Sequence, residues 1–460
     1  MPHIHIIHVG SVTNKGTHAL LISEVLELRR IYENAEISVS TSDVETLKHL
    51  ETNLRTYPSL VDIPYERADL EARKCEYHRE TFRYRFHVII FTFLMFVQAF
   101  LSIVSCILVK ANFKPIYRGE VIKQLKDSDL IISTSNENFK EGSLYLPFNI
   151  YWKLAWWSML FSRMWDILIA KKVFKKPIVV FPNSVGPFRT WLGRLMARIS
   201  LDNVDLLLLR EPDSYSLLKD LKIRTPTLIT SDIAITFEPH QTRFTQTLPR
   251  PTVGVSPGLY AASFSNAKQW KFIIAHAEVL DYFIEKYGFN IVFLPHEVSG
   301  LKYDDLAFCK AILQKMIYRD KAKIIYAKTL EGFKNYIRQL DLLITSRMHP
   351  AVLACSDKVP TVAIFYDHKQ TGLFEQLGLS CCTINVNQVS YENLLPKVEF
   401  IWNNKEKIKE QMARRVPILQ KDVRTKIEKA CLGFMSSRCQ RRVDWTSYIT
   451  RNNLLKCARE

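Results

Sequence analysis

The segment LDLLITSRMHP, residues 340–350, ends an apolar run with two side chains that can handle anions and protons. Arg347 carries a planar guanidinium that pairs bidentately with phosphate or carboxylate groups. His349 carries an imidazole whose ordinary pKa lies near neutrality, so it can give or take a proton during catalysis. A strand that only had to be buried would not need this ending. We therefore predict that Arg347 and His349 are catalytic.

The residues that follow predict a helix whose N-terminus lies beside these two side chains. Pro350 suits the first turn of a helix, because its missing N–H would have no intrahelical partner there. A helix N-terminus favours anions over cations, yet Lys369 adds a third basic group just after the next predicted strand. Three basic groups around one helix N-terminus would be destabilising without an anion. The pattern therefore predicts an anion site that includes Lys369 as a substrate-binding residue.

A glycine-bracketed loop, GSVTNKGTHALL at residues 10–21, offers a second candidate anion site. Asn14 and Gly16 lie in this loop, and Thr17 is predicted to cap the helix that follows. The spacing differs from the G-x-G-x-x-G of dinucleotide-binding proteins. A tight turn without a ligand is the alternative interpretation. We predict that Asn14 and Gly16 contact substrate.

Four further polar residues follow predicted strands and are predicted to bind substrate. Asn183 and Ser184 follow the apolar run 177–181, Arg210 follows 205–209, and His296 follows 291–294. In open parallel sheets, ligands bind beyond the carboxyl ends of the strands. For Arg210 the alternative is a surface ion pair.

The elements that must position these residues alternate along most of the chain. Short β-branched runs are separated by stretches with apolar residues at helical spacing, which predicts parallel sheets with helices on both faces. The predicted strands are residues 4–9, 36–41, 130–133, 177–181, 205–209, 252–256, 291–294, 323–326, 342–345 and 361–365.

The alternation stops once, at a polar and proline-bounded stretch near residues 238–250, and then resumes. The sequence thus predicts an α/β protein with two Rossmann-like, doubly wound domains, residues 1–237 and 251–402, that face each other across a cleft. Residues 403–460 are predicted to form a basic helical tail.

The composition narrows the classes of partner. The chain of 460 residues has a net charge of +17, and residues 405–460 hold fifteen Lys and Arg against six Asp and Glu. This excess favours an anionic partner such as a phosphorylated substrate or an acidic membrane. No nucleic-acid-binding signature is present. The nine cysteines show no zinc-binding spacing, so no metal site is predicted.

One apolar segment, residues 88–109, has no charge and is long enough to span a bilayer. Predicted strands lie on both sides of it, and if they pair in one sheet the chain cannot cross the membrane between them. The insertion, residues 86–113, is therefore predicted to lie in the membrane interface as a helix or a re-entrant hairpin, with flanking Arg and Lys near the head groups. A buried core helix is the alternative.

The ordered motifs of the chain resemble those of the polysaccharide pyruvyl transferase family. TSRMHPAVLA followed by VPTVAIFYDHKQTGLFEQLGL resembles the family's C-terminal signature. HVGSVTNKGTHAL, VVFPNSVGPF and LLLREPDSYSLL resemble its N-terminal motifs, and TSDIAITF resembles the strand before its linker. The resemblance runs through residues 4–379, outside the apolar insertion and the tail.

The resemblance implies a GT-B-like fold and transfer of a pyruvyl group from phosphoenolpyruvate to sugar hydroxyls as a ketal, without a cofactor. Carried over by position, Arg347 and His349 form the core site, with Arg210 and Lys369 in the cleft. The acceptor would be a cell-surface or lipid-linked glycan, handled at the cytoplasmic face of the membrane. A glycosyltransferase using a nucleotide-sugar and a membrane-associated non-catalytic relative are the alternatives.

Overall fold

The computed structural model describes residues 1–74, 82–142, 150–239, 247–258, 266–298, 304–366 and 368–435. Within these ranges the chain forms two parallel sheets with helices packed on both faces. The predicted α/β fold with two Rossmann-like domains is confirmed. We number the strands and helices in chain order.

The first sheet has seven parallel strands in the order β3-β2-β1-β4-β5-β6-β7. Its strands are β1 (His3–Val9), β2 (Glu36–Thr41), β3 (Arg55–Pro58), β4 (Leu130–Ser133), β5 (Ile178–Asn183), β6 (Leu206–Leu209) and β7 (Thr227–Ile229). The central strands are buried on both faces, which is why they read as almost continuous apolar runs. The strand order reverses direction between β1 and β4, and this reversal creates a crevice at their carboxyl ends.

The second sheet has six parallel strands in the order β10-β9-β8-β11-β12-β13. Its strands are β8 (Thr252–Ser256), β9 (Asn290–Phe293), β10 (Ala322–Ile324), β11 (Leu342–Thr345), β12 (Thr361–Phe365) and β13 (Thr383–Asn385). Here the order reverses between β8 and β11. The loop that carries Arg347 leaves β11 at this point.

Fifteen α-helices lie within the described ranges. They are α1 (Lys15–Ile31), α2 (Val44–Leu50), α3 (Pro64–Lys74), α4 (Phe82–Lys110), α5 (Gly119–Asp127), α6 (Ile150–Leu168), α7 (Trp191–Leu201), α8 (Pro212–Asp220), α9 (Asn266–Tyr287), α10 (Asp305–Lys315), α11 (Leu330–Ile337), α12 (Met348–Ser356), α13 (His368–Leu377), α14 (Tyr391–Asn403) and α15 (Lys405–Met435).

Two local predictions were wrong. Residues 230–237 do not continue as a strand: a short 3-10 helix, Ile233–Thr236, begins after Asp232, whose side chain accepts a hydrogen bond from the backbone N–H of Ala234 at 2.8 Å. Helix α1 begins after Asn14 and not after Thr17, because the Asn14 side chain accepts from the backbone N–H of Gly16 at 2.9 Å. Both corrections follow from side-chain capping of helix N-termini.

The basic C-terminal segment, as far as residue 435, is a long helix that joins the two domains. Helix α15 leaves the second domain and returns to the first, where Arg424 Nε lies 2.8 Å from Glu27 Oε1 and Thr230 Oγ1 donates to Asp422 at 2.9 Å. Residues 436–460 lie outside the described ranges. This returning helix holds the two domains together, since it contributes apolar residues to a core shared by both.

The apolar insertion forms α4, which packs along one side against α6 and leaves the other side exposed. Met95, Ala99 and Cys106 are buried, and Ser102 accepts a hydrogen bond from the indole N–H of Trp165 at 2.9 Å. A stripe of large apolar side chains faces outward at helical spacing: Phe82, Phe86, Ile89, Phe93, Phe96, Phe100, Ile103 and Ile107. By length and composition α4 could cross a membrane. However, it lies between β3 and β4, which belong to one sheet.

Candidate active site

The candidate active site lies where the β1–α1 loop of the first domain meets the β11–α12 loop of the second. His349 stands in the first turn of α12, directly after the apolar strand β11. Gly16 lies against its ring so closely that a Cβ atom at this position would overlap the imidazole. Glycine is required here because the two domains approach each other at this point.

Asp232, which sequence reasoning missed as a functional residue, links the predicted residues of the two domains. Its Oδ2 atom accepts a 2.6 Å hydrogen bond from Arg210 Nη1 and lies 3.9 Å from His349 Nε2. Asp232 is 2 % exposed. The available signal was its position three residues after the end of β7, where its carboxylate caps a short helix.

Arg210 is buried and forms an ion pair, but not the surface ion pair considered as its alternative. Its Nε and Nη2 atoms donate to Ser184 Oγ at 3.1 and 2.8 Å. Burial alone would lower the pKa of Arg210, but Asp232 and the neighbouring Glu211 and Glu137 outweigh burial and raise it. Arg210 therefore remains charged, and its hydrogen bonds to Ser184 and Asp232 hold the guanidinium in one orientation beneath the cleft.

Asn183 and Ser184, both predicted to bind substrate, support the loop after β4 and the Arg210 side chain. The Asn183 amide donates to the Thr134 carbonyl at 2.9 Å and accepts from the backbone N–H of Asn138 at 3.1 Å. Ser184 donates to Glu211 Oε2 at 3.0 Å. Because these bonds use both ends of a fully buried amide, the structure gives Asn183 a positioning role.

Arg347 lies between two carboxylates that sequence reasoning did not associate with it. Its Nε and Nη2 atoms donate to Asp305, with a shortest distance of 2.5 Å, and its Nη1 lies 3.2 Å from Glu297 Oε2. Burial opposes the charge of Arg347, but Asp305 and Glu297 raise its pKa well above the ordinary value. Protein carboxylates therefore compensate the charge of Arg347, so this charge by itself does not require a bound anion.

His296 lies beside His349 with its ring parallel to that of His349. The interplanar angle is 8° and the ring centroids are 6.3 Å apart. His296 is 2 % exposed, and neither ring nitrogen has a hydrogen-bond partner among the described residues. Burial, followed by the positive charge of Arg347, lowers its pKa well below 6.5. The ring is therefore neutral at neutral pH, and its lowered pKa makes it a weak base.

Asn14 and Lys15 reach from the first domain into the second. The Asn14 amide donates to Glu297 Oε2 at 3.2 Å, and Lys15 Nζ donates to the His296 carbonyl at 3.3 Å. Burial lowers the pKa of Lys15 to about 8, although Asp305 and Glu297 partly oppose this. Lys15 is a second residue of the site that sequence reasoning missed, hidden between the two residues that it singled out.

Lys369 belongs to the first turn of α13, and its side chain lies outside the described part of the structure. Among the described residues, no group of three or more His, Cys, Asp or Glu side chains is arranged to hold a metal ion. The site that the structure brings together combines the imidazoles of His296 and His349, two guanidiniums and the Lys15 ammonium group with five carboxylates, which are Glu137, Glu211, Asp232, Glu297 and Asp305.

Comparisons with known proteins agree on the family and the fold. The sequence profile of the family described as "Polysaccharide pyruvyl transferase" matches residues 14–368. The amylovoran biosynthesis protein AmsJ of Erwinia amylovora is 24 % identical over 327 residues, which cover 66 % of this chain and 72 % of that protein.

Solved structures show the same fold at low identity. The UDP-GlcNAc 2-epimerase of Neisseria meningitidis, bound to UDP-GlcNAc, has a TM-score of 0.55 at 10 % identity, covering 94 % of this chain and 100 % of that chain. The UDP-GlcNAc 2-epimerase of Methanocaldococcus jannaschii has a TM-score of 0.53 at 14 % identity, covering 92 % and 100 %. At these identities the likeness establishes the GT-B-like fold alone.

The profile match includes the β1–α1 loop from Asn14 onward, Arg210 and the Arg347–His349 segment, and it spans most of the chain. The ordered motifs of the sequence, the two facing domains and this match lead to one conclusion. The chain belongs to the polysaccharide pyruvyl transferase family and is a transferase related to a protein of exopolysaccharide biosynthesis.

Proposed function

We propose that this protein transfers the pyruvyl group of phosphoenolpyruvate to two hydroxyl groups of a sugar in a cell-surface or lipid-linked glycan, forming a cyclic ketal. The single observation that supports this most directly is the position of His349. Its imidazole lies in the first turn of α12, where the N-cap residue Arg347 makes no side-chain capping bond. A helix N-terminus of this kind attracts the phosphate or carboxylate of the donor.

The proposed reaction balances without a redox partner or a cofactor. A proton adds to the CH2 carbon of the enol and makes it a methyl group, while positive charge develops at C2. One sugar hydroxyl forms a C–O bond to C2 and loses its proton, the bond from C2 to the phosphate oxygen breaks, and phosphate leaves. A second hydroxyl then forms the other ketal bond at C2 and loses its proton, which the departing phosphate takes up.

The residues divide naturally between these steps. His349 is the candidate acid, which protonates either the enol carbon or the departing phosphate. His296, held neutral by burial, can accept a hydrogen bond from a sugar hydroxyl and orient it, because neither ring nitrogen has a partner among the described residues. Arg347 shares its guanidinium with Asp305 and Glu297, so an incoming phosphate would compete with Glu297, the more exposed of the two.

The direct experiment incubates the full chain with phosphoenolpyruvate and lipid-linked sugars and weighs the products. Appearance of a pyruvyl ketal and of free phosphate supports the proposal. The variants His349→Ala and Arg347→Ala should abolish transfer, and full activity in either would contradict the assigned roles.

The alternative to phosphoenolpyruvate as the donor is a nucleotide-sugar. Thermal-shift titrations with phosphoenolpyruvate, UDP-sugars and GDP-sugars compare the two donor classes directly. Stabilisation by a nucleotide-sugar alone, with transfer of a glycosyl group, would replace the proposed donor while leaving the fold and family unaffected.

We also propose that the protein binds peripherally to the cytoplasmic face of the membrane through the outer stripe of α4. The stripe is apolar and exposed, and basic residues lie at both ends of the apolar segment: Arg83, Arg85 and Lys110 in the end turns of α4 and Lys114 just after it. An exposed apolar face bordered by cations is typical of helices that lie in the interface of anionic bilayers. Because β3 and β4 share one sheet, α4 lies on the bilayer without crossing it.

A further inference from the structure

Helix α7 has an exposed face that combines large apolar side chains with cations. Trp191 is 74 % exposed and Leu195 is 43 % exposed. Arg194 and Arg198 are also exposed, and the four side chains share one face of the helix because they are spaced at i, i+3, i+4 and i+7. The opposite face, which includes Met196, is buried. A face of apolar residues and cations is typical of helices that bind the surface of an anionic membrane.

The N-terminus of α7 is fixed by two caps, so the exposure of Trp191 belongs to an ordered helix. The Thr190 hydroxyl accepts a hydrogen bond from the backbone N–H of Gly193 at 3.1 Å. The buried carboxylate of Glu141 accepts from the backbone N–H groups of Arg189 and Thr190, both at 2.7 Å. These bonds satisfy donors that a helix start would otherwise leave unpaired.

Helix α6 continues the apolar surface from α4 to α7. The ring centroids of Phe161 in α6 and Phe96 in α4 are 5.1 Å apart. At the other side of α6, the indole N–H of Trp157 donates to Thr190 Oγ1 at 3.0 Å. Every partly exposed side chain of α6 between residues 154 and 168 is hydrophobic. Hydrophobic surface therefore joins the exposed stripe of α4 to the exposed face of α7.

The apolar surface ends at α8, the next helix, which shares a hydrophobic core with α6 and α7. The exposed side chains of α8 include Pro212, Asp213, Ser216, Lys219 and Asp220. An anionic bilayer repels carboxylates and attracts guanidiniums. The change from arginines on α7 to aspartates on α8 therefore marks the border of a surface that suits a bilayer.

The charges of α7 favour an anionic bilayer as the occupant of this surface. Arg198 Nε lies 3.6 Å from Asp202 Oδ2, but 49 % of the Arg198 side chain remains exposed. An exposed ion pair of this kind is weak, and a guanidinium can pair with a phosphate instead. Tryptophan and arginine side by side match the region of a bilayer where acyl chains meet the lipid phosphates.

We propose that α7 is a second membrane-binding element, in which Trp191 and Leu195 enter the bilayer interface and Arg194 and Arg198 bind the phosphates of anionic lipids. This inference rests on the proposed membrane position of α4 and extends it across α6. Helix α7 follows β5, and helices that follow parallel strands begin at the carboxyl edge of the sheet. Binding through α7 therefore holds the first-domain edge of the cleft near the head groups.

The test measures co-sedimentation of the full chain with phosphatidylcholine vesicles, with and without phosphatidylglycerol. The double variant Arg194→Gln/Arg198→Gln should bind phosphatidylglycerol-containing vesicles roughly thirtyfold more weakly, because it loses two cations at the charged surface. Its binding to pure phosphatidylcholine should be unchanged. Trp191→Ser should bind both kinds of vesicle roughly tenfold more weakly, because it loses apolar area in the interface.

Matched controls lie on the exposed surface of the second domain. Lys310→Gln/Lys323→Gln removes two exposed cations there, and Trp270→Ser removes a tryptophan that is 54 % exposed. Both should bind vesicles as the unaltered protein does. All the altered positions are exposed, so melting temperatures should agree among the variants and separate membrane binding from misfolding.

Fluorescence gives a second measurement of the position of Trp191. Brominated phosphatidylcholine quenches tryptophans that enter a bilayer. The total quenching should be smaller in Trp191→Phe than in the unaltered protein, whereas Trp270→Phe should leave it unchanged. Equal quenching in the two variants would contradict insertion of Trp191.

The outcomes separate this inference from the proposal on which it rests. Vesicle binding by the α7 variants that equals binding by their controls would overturn the inference and leave the membrane position of α4 in place. If the unaltered protein binds neither kind of vesicle, both are contradicted.

Discussion

Gly16 and His349 belong to different domains, yet the glycine backbone lies directly against the imidazole, with no space for a Cβ atom between them. The position of the candidate acid thus depends on a residue more than three hundred positions away in the sequence. We expect the His349 imidazole to keep its position only while Gly16 remains in close contact with it.

Gly16→Ala should reduce transfer by roughly a hundredfold, because displacement of a catalytic group by about 1 Å has this effect. The measurement is kcat with phosphoenolpyruvate, alongside the melting temperature. Gly10→Ala is the control in the same loop, since its Cβ would meet its nearest neighbour at 3.9 Å. Equal activities of the two variants would contradict the importance of the contact.

Asp232→Asn should lower both stability and transfer. The amide cannot neutralise Arg210, and removing one partner of a buried ion pair costs about 3–5 kcal/mol. Chemical denaturation measures the loss. Ser231→Ala is the matched control, because the neighbouring Ser231 hydroxyl is buried and has no hydrogen-bond partner among the described residues. A stability loss as large in Ser231→Ala would show that the effect is not due to the ion pair.

The lowered pKa of Lys15 predicts that the stability of the folded protein depends on pH. Its pKa is about 8 in the folded protein and ordinarily 10.5. Between these values the unfolded chain binds the proton and the folded chain does not, so stability rises with pH. The free energy of unfolding of the unaltered protein, minus that of Lys15→Met, should rise by up to about 3 kcal/mol across this window.

The control for this measurement is Lys48→Met, on the exposed side of α2. Denaturant titrations at pH 7, 8, 9 and 10 give the curve. A difference that stays constant or falls over this window would contradict the lowered pKa of Lys15.

The membrane proposal predicts a loss of vesicle binding when the α4 stripe becomes polar. Phe93 and Phe100 are 69 % and 66 % exposed, and the double variant Phe93→Ser/Phe100→Ser should no longer sediment with phosphatidylglycerol-containing vesicles. Ile317→Ser, at a 79 % exposed position in the second domain, should still bind. Retention of the unaltered protein on vesicles after an alkaline carbonate wash would contradict a peripheral position and favour a span.

The sequence by itself determined the alternation of strands and helices and the positions of the main polar loops. Apolar runs such as residues 342–345 must be buried on both faces, and parallel strands present the residues that follow them at one edge. Arg347, His349, Arg210 and His296 could therefore be placed at strand ends without coordinates. The exposure of α4 could not be decided this way, because a core helix and an interfacial helix have similar compositions.

Only the tertiary structure decided which charges meet. Asp305 and Glu297 neutralise Arg347, and Asp232 joins Arg210 to His349, across separations that no local periodicity records. The left-handed backbone conformation of the buried His8, with φ 71°, also has no signal in the sequence. Local sequence patterns report burial and helix or strand geometry. Ion pairs between distant residues depend instead on how the two domains and the inserted helices pack.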